Sequence, residues 1–379
     1  MNTTGGRDFV SLACTGVQGL EPYEPGKPVS ELEREYGIDD AVKLASNENP
    51  FGPSSKAVDA ARQALAALAL YPDGNAFALK QALAAHHGVG AEQVTVGNGS
   101  NDILELLARV FLQPGLNAVF SAHAFAVYPI VTQAVGATAK VVAANPPEHA
   151  SPYGHDLEAM AQAIDAQTRI VFIANPNNPT GTWLPAAALK AFIAEVPAEV
   201  VVVVDEAYFE YAREPDYPDT SQWLDSFPNL VVTRTFSKAY GLAGLRVGYG
   251  LACAQIADLL NRVRQPFNVN AVAQAAALAA LEDQAHIRDC VAKNSQGLQQ
   301  LAAGFERAGL AWVPSIANFV LVDVGRPGAE VYQRLLPHGV IVRPVANYGL
   351  PGFLRVTVGS AEQNARFLAA LDSVLAEWD

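Results

Sequence analysis

The 379-residue chain has 38 acidic and 25 basic side chains, a net charge of −13, and is half apolar with only 17% charged residues. So acidic a chain has no basic stripe to neutralise phosphates, which argues against nucleic acid as a partner. Its three cysteines, Cys14, Cys253 and Cys290, are odd in number and widely spaced; that fits buried, inert thiols in a reducing compartment and argues against a disulfide framework or a metal site.

The N-terminus lacks a charged-then-apolar leader pattern, and no uninterrupted apolar stretch reaches membrane-spanning length. Alanine-rich stretches at Ser55 to Leu70, Ala186 to Glu195 and Val269 to Leu281 read as helices, because alanine is the best helix former. They alternate with apolar runs near Val94, Ala118, Lys140, Ile170, Val200, Leu230 and Val247 that read as strands. This rhythm predicts an α/β fold, with a mostly parallel sheet sandwiched by helices. A long helix at Asp283 to Ala308 leads into a smaller α+β unit. Its strands are expected at Asn318 to Val324, Val340 to Arg343 and Phe353 to Val358, and its closing helix at Ala361 to Glu377. Residues before about Ala45 are expected to pack with that unit. The division is a large domain at 46–282 and a small domain from 1–45 and 283–379.

Four strand ends carry candidate chemistry. Gln93-Val94-Thr95-Val96 runs into Gly97-Asn98-Gly99-Ser100-Asn101 and then a helix from Asp102, with Ser100 or Asn101 as its cap. Free amides at a helix start bind anions, and a phosphate fits there. Asp102 stands where the dinucleotide fingerprint needs its third glycine, so that reading is rejected. The strand Arg169 to Ala174 ends in Asn175-Pro176-Asn177-Asn178-Pro179-Thr180-Gly181, a rigid turn with more hydrogen-bonding groups than a plain connector needs. Five valines, Val200 to Val204, precede Asp205 and read as a strand buried on both faces. A carboxylate there needs a partner; a protonated pyridine nitrogen would serve, and a structural Asp capping the next segment is the alternative. Tyr208 lies three residues on.

The fourth strand, near Leu230, ends in Ser237-Lys238, with Arg246 eight residues later. A lysine at the end of a buried strand is poorly solvated, which lowers its pKa and frees its lone pair for an aldehyde. Ser237 and Arg246 beside it suit a phosphate dianion. Aldehyde plus phosphate describes pyridoxal 5'-phosphate; a solvated surface lysine is the plain alternative. Nearer the C-terminus, the strand Val340 to Val342 ends in Arg343, a second anion site or a structural salt bridge. His86 and His87 read as surface residues, and His123 as the one histidine placed for substrate contact.

These segments in this order resemble the fold-type I pyridoxal-phosphate-dependent aminotransferases. Within them, the chain resembles the histidinol-phosphate aminotransferase family. Its Leu44-Ala45-Ser46-Asn47-Glu48-Asn49-Pro50, Tyr71-Pro72-Asp73, Asn178-Pro179-Thr180-Gly181, Asp205-Glu206-Ala207-Tyr208 and Leu354-Arg355-Val356-Thr357 carry that resemblance. It implies that Lys238 is the cofactor-linked lysine and proton shuttle, and that Asp205 pairs with the pyridine nitrogen. Asn178 and Tyr208 then hold the ring's phenolate oxygen. Gly99, Ser100, Asn101, Ser237 and Arg246 hold the phosphate, together with Tyr71 from a neighbouring subunit. Phe125 falls where an aromatic ring stacks on the cofactor, although many members carry tyrosine there, and core packing is its alternative. Arg355 is implied as a carboxylate clamp, with Arg343 and Asn47 also facing substrate. The implied enzyme is a cytoplasmic homodimer that transfers an amino group between L-histidinol phosphate and 2-oxoglutarate. An aromatic amino acid aminotransferase, or a decarboxylase of the same fold, is the alternative.

Overall fold

The computed structural model describes residues 8–23 and 25–378; the remaining residues of the predicted small domain (1–7, 24 and 379) lie outside it. Strand β1 (Val42–Lys43) precedes a seven-stranded sheet made of β2 (Val94–Gly97), β3 (Asn117–Ser121), β4 (Thr138–Val142), β5 (Thr168–Ala174), β6 (Val201–Asp205), β7 (Leu230–Thr235) and β8 (Gly248–Ala252). Their order is β2-β8-β7-β6-β5-β3-β4. All neighbours pair in parallel except at β8, which runs antiparallel to both β2 and β7.

The valine run explains why β6 sits at the centre. Val202, Val203 and Val204 are fully buried, because consecutive side chains point to opposite faces and both faces are covered. Val202 and Val204 join one apolar cluster with Leu189 and Ala277, while Val203 joins another with Leu104 and Phe172. Each such burial contributes about 1.5–3 kcal/mol.

A second sheet has the order β12-β13-β10-β9, from β9 (Trp312–Val313), β10 (Phe319–Asp323), β12 (Arg343–Val345) and β13 (Leu350–Thr357). The run from Val340 to Arg343 is not one strand. Val340 and Ile341 form β11, which pairs in parallel with β1, and the chain passes into β12 at Arg343. Helix Gln284–Arg307 links the two sheets, and helix Ala361–Ala376 closes the chain with a capping box at Ser360 and Gln363.

The residues before Ala45 divide. Leu32 and Ala45 pack with Leu336 and Ile341, as expected. The short helix Thr15–Gln18 instead meets helix Val127–Ala134 beside the large sheet. Gly16 is so close to the Gln133 carbonyl and Gly136 that a side chain would collide with them. His87 is buried rather than surface-exposed, and its Nε2 lies 2.9 Å from the Tyr249 hydroxyl. Burial pushes its pKa down to about 3. Cys290 is buried as expected, whereas Cys14 is exposed.

Candidate active site

The C-terminal ends of β5, β6 and β7 open onto one cavity, which encloses about 880 Å³ including its open mouth. This is the end of a parallel sheet where ligand sites form. The start of helix Ser100–Phe111 and the β12–β13 pair complete its walls. The residues singled out from the sequence line this cavity except His123 and Tyr71; Tyr71 is 82% exposed and stacks on Phe267.

Lys238 follows β7 through Phe236 and Ser237 and points into the cavity. Its Nζ donates to the Ser46 carbonyl at 3.1 Å. Although the residue opens onto the cavity, protein surrounds its amine. That desolvation, reinforced by the positive charge of Arg355, lowers its pKa to about 7. Glu48 and Asp205 act in the opposite direction, and Arg246 adds to the lowering.

Asp205, the last residue of β6, is 4% exposed. Its Oδ1 accepts from Thr233 Oγ1 at 2.9 Å and its Oδ2 from the Tyr128 hydroxyl at 3.0 Å. Burial raises its pKa, and these hydrogen bonds oppose the rise. Tyr208 is buried, and burial pushes its pKa up to about 12. Its hydroxyl accepts from Asn47 Nδ2 at 2.9 Å.

The anion-binding corner is built from backbone. Helix Ser100–Phe111 is capped by Gly99 rather than by Ser100 or Asn101; Gly99 has φ +80° and supplies no side-chain bond. Ser100 is instead the first helical residue, so the amides at the helix start are left to face the cavity. A side chain at Gly99 would come within 2.9 Å of Arg246 Nη2, and one at Gly248 within 2.4 Å of the Ser100 nitrogen. Both positions must be bare for Arg246, β8 and the helix start to converge. Arg246 Nη1 reaches Ser237 Oγ at 3.4 Å and the Ala243 carbonyl at 3.1 Å. Asp102, whose charge would oppose an anion, is turned to the Asn98 amide and Asn268 Nδ2, each at 2.9 Å.

Across the cavity, Arg343 and Arg355 are paired residues of β12 and β13. Arg355 is 6% exposed; its Nη1 donates to Asn178 Oδ1 at 2.6 Å and its Nη2 to the Ala45 carbonyl, while its buried Nε has no partner among the described residues. Arg343 lies 5.9 Å from the Tyr23 ring. Phe125 is half-buried: it lines the cavity and packs edge-on against Tyr128 at 5.9 Å. His123 does not line the cavity, and its Nδ1 meets the Tyr348 carbonyl instead.

Sequence reasoning missed Tyr23, Tyr128 and Thr233. Tyr128 lies in the first turn of the helix Val127–Ala134, and its packing against Phe125, which precedes that helix, is visible only in three dimensions. Thr233 meets Asp205 only through strand register.

These groups fit pyridoxal phosphate. A desolvated amine suits its aldehyde, a buried carboxylate its ring nitrogen, a bare helix start its phosphate and Phe125 its flat face. The family model for aminotransferase class I and II matches residues 39–371. Histidinol-phosphate aminotransferase 2 of Pseudomonas fluorescens is 62% identical over 371 residues, covering 97% of this chain and 99% of its own. The Methylococcus capsulatus protein of that name is 57% identical over 367 residues, with the same two coverages. The crystal structure of histidinol-phosphate aminotransferase from Sinorhizobium meliloti, in complex with pyridoxal 5'-phosphate, superposes with a TM-score of 0.87 at 31% identity, covering 96% of this chain and 97% of its own. A strand-end lysine, a buried aspartate and a bare helix start thus stand in a chain that belongs to the class I and II aminotransferases and, within them, to the histidinol-phosphate aminotransferase family.

Proposed function

We propose that this protein is a pyridoxal-phosphate-dependent aminotransferase that takes L-histidinol phosphate and 2-oxoglutarate to imidazole acetol phosphate and L-glutamate. The observation that carries this reading is one cavity lined by the desolvated Lys238, by an anion corner at Gly99 to Asn101 and by the paired arginines Arg343 and Arg355.

The bound cofactor supplies the aldehyde that captures the substrate amine and the electron sink that makes the Cα proton acidic. In this reading Lys238 holds the cofactor and then carries that proton, a task suited to an amine poised near neutrality. Asp205 keeps a proton on the ring nitrogen, and Asn178 and Tyr208 hold the ring oxygen. Gly99, Ser100 and Asn101 bind the phosphate through backbone amides, with Ser237, Arg246 and Tyr71 of a second copy. Phe125 stacks on the ring face. Arg355, oriented by Asn178, fixes the carboxylate of glutamate, and Arg343 takes the phosphate of histidinol phosphate, with Asn47 bordering the substrate. The fold divides at 46–282 against 1–45 and 283–379, and the working form is a homodimer. A cytoplasmic location is supported by the odd, widely spaced cysteines.

The test is to supply the holoenzyme with 2-oxoglutarate and histidinol phosphate, Phe or Tyr in turn, and to follow glutamate and CO₂. Glutamate formed fastest with histidinol phosphate is the expected result. Much faster turnover of Phe or Tyr would make the protein an aromatic aminotransferase, and CO₂ without glutamate a decarboxylase. Borohydride reduction followed by peptide mapping places the cofactor on Lys238, and a label on any other lysine refutes the mechanism.

A further inference from the structure

Asp205 is held from two separate elements. Tyr128, in the helix after β3, donates its hydroxyl to Oδ2 at 3.0 Å, and Thr233, its register partner on β7, donates to Oδ1 at 2.9 Å. Tyr128 has no freedom to point elsewhere. It is fully buried, lies face to face on Phe172 with ring centroids 4.7 Å apart and planes 4° apart, and meets Phe125 edge-on. We propose, on the reading of Asp205 given above, that Tyr128 and Thr233 are positioning residues that keep the Asp205 carboxylate charged and aimed at the ring nitrogen of the cofactor.

The physical need is plain. Burial alone favours the neutral acid, and a neutral Asp205 cannot hold a proton on the ring nitrogen. Two hydroxyl donors favour the charged form without adding a competing charge. The groups facing Asp205 are Tyr128, Thr233, the Ala207 amide, Lys238 and Tyr208. Of these, Lys238 is committed to the cofactor aldehyde in the loaded enzyme, and Tyr208, whose pKa burial pushes up to about 12, is a neutral phenol. Burial holds the Tyr128 phenol well above its usual range, so it remains a donor throughout the working pH. Through its contact with Phe125, the same ring also supports the wall against which the cofactor lies.

The experiment compares Tyr128→Phe, Thr233→Val and Thr233→Ser with wild type and with Asp205→Asn as a control. Three readouts are taken: cofactor release during dialysis followed by its visible absorbance, the pH profile of kcat, and thermal unfolding. Phe and Val keep the shapes and remove only the hydroxyls. A hydrogen bond to a charged group in a buried site corresponds to a roughly ten- to hundredfold effect. Tyr128→Phe and Thr233→Val are expected to release cofactor and lose kcat by that order, with KM little changed. Their acidic limb should move to higher pH, because removing donors to the charged form raises the pKa of Asp205. Thr233→Ser keeps a hydroxyl and should behave as wild type. If Asp205→Asn itself leaves release and turnover unchanged, the assignment of Asp205 fails. If Asp205→Asn is impaired while Tyr128→Phe and Thr233→Val differ from wild type only in thermal stability, the proposal is overturned.

Discussion

The lysine proposed to carry the cofactor should weaken the empty protein. Lys238 moves from an ordinary 10.5 to about 7, chiefly by desolvation. At about 1.4 kcal/mol for each tenfold change, this is a folding penalty of at most about 5 kcal/mol. Its sign fixes its pH window. Between pH 7 and 10.5 the unfolded chain holds a proton on Lys238 that the folded chain lacks, so stability rises with pH across that window. Below pH 7 both states are protonated and the penalty is complete; above 10.5 it vanishes. Lys238→Met keeps the length of the side chain and removes the charge, at the loss of one hydrogen bond to Ser46, about 1 kcal/mol. The variant should therefore be more stable than wild type by about 2–4 kcal/mol at pH 6, with the gain shrinking to nothing near pH 10 and turning into a deficit of up to about 1 kcal/mol, the lost hydrogen bond, above pH 10.5. Urea unfolding of both cofactor-free proteins at pH 6, 8.5 and 10.5 measures this difference, and other titrating groups cancel in it. A gain independent of pH, or none at pH 6, would refute the desolvation account. The functional counterpart is that roughly half of the free amine is neutral at pH 7, against about one part in three thousand for a solvated lysine.

The paired arginines should separate in steady-state kinetics. Arg343→Ala should weaken histidinol phosphate by about 1.5–3 kcal/mol while sparing Phe and Tyr, whereas Arg355→Ala should damage every substrate, since it also frees Asn178; equal losses for both substrate classes in Arg343→Ala would make Arg343 structural. If Tyr71 completes a neighbour's phosphate site, dilution to monomer followed by light scattering should release cofactor and activity together, and a fully active monomer would rule that out.

Much of the fold was legible because strongly apolar runs have one good explanation. Each of the seven runs expected in the large sheet forms a strand there. Lys238, Asp205 and Asn178 could be placed because each ends or follows such a run, and strand ends on one side of a parallel sheet share one space. What stayed hidden depends on partners rather than on periodicity. Val340 to Arg343 reads as a single apolar strand, yet the chain leaves one pairing at Ile341 and enters another at Arg343. His87 looked like a surface residue because a histidine pair near a helix end is polar, and only the Tyr249 hydroxyl explains its burial. The Gly99 cap was misread because Ser100 has the better capping side chain. The helix needs its amides uncapped there, and a φ of +80° suits glycine.

Asn47 shows how far apart in sequence the determinants of the site lie. Its φ of +56° is unfavourable for a residue with a side chain, though asparagine tolerates it better than most. All four of its polar groups are engaged. The amide donates to Thr357 Oγ1 at 2.9 Å, Oδ1 accepts from that hydroxyl at 3.1 Å, the carbonyl accepts from Asn318 Nδ2 at 3.0 Å, and Nδ2 donates to Tyr208. Glycine would relieve the backbone but could not reach Tyr208, and aspartate could not donate to it. Asparagine alone meets both demands, and in doing so it ties β13 and Asn318 of the second sheet to the residue three places beyond Asp205. Arg355 makes a second such tie through Asn178 and Ala45. The cavity is therefore a product of docking the two sheets, and the groups that orient its chemistry are the same hydrogen bonds that hold the sheets together.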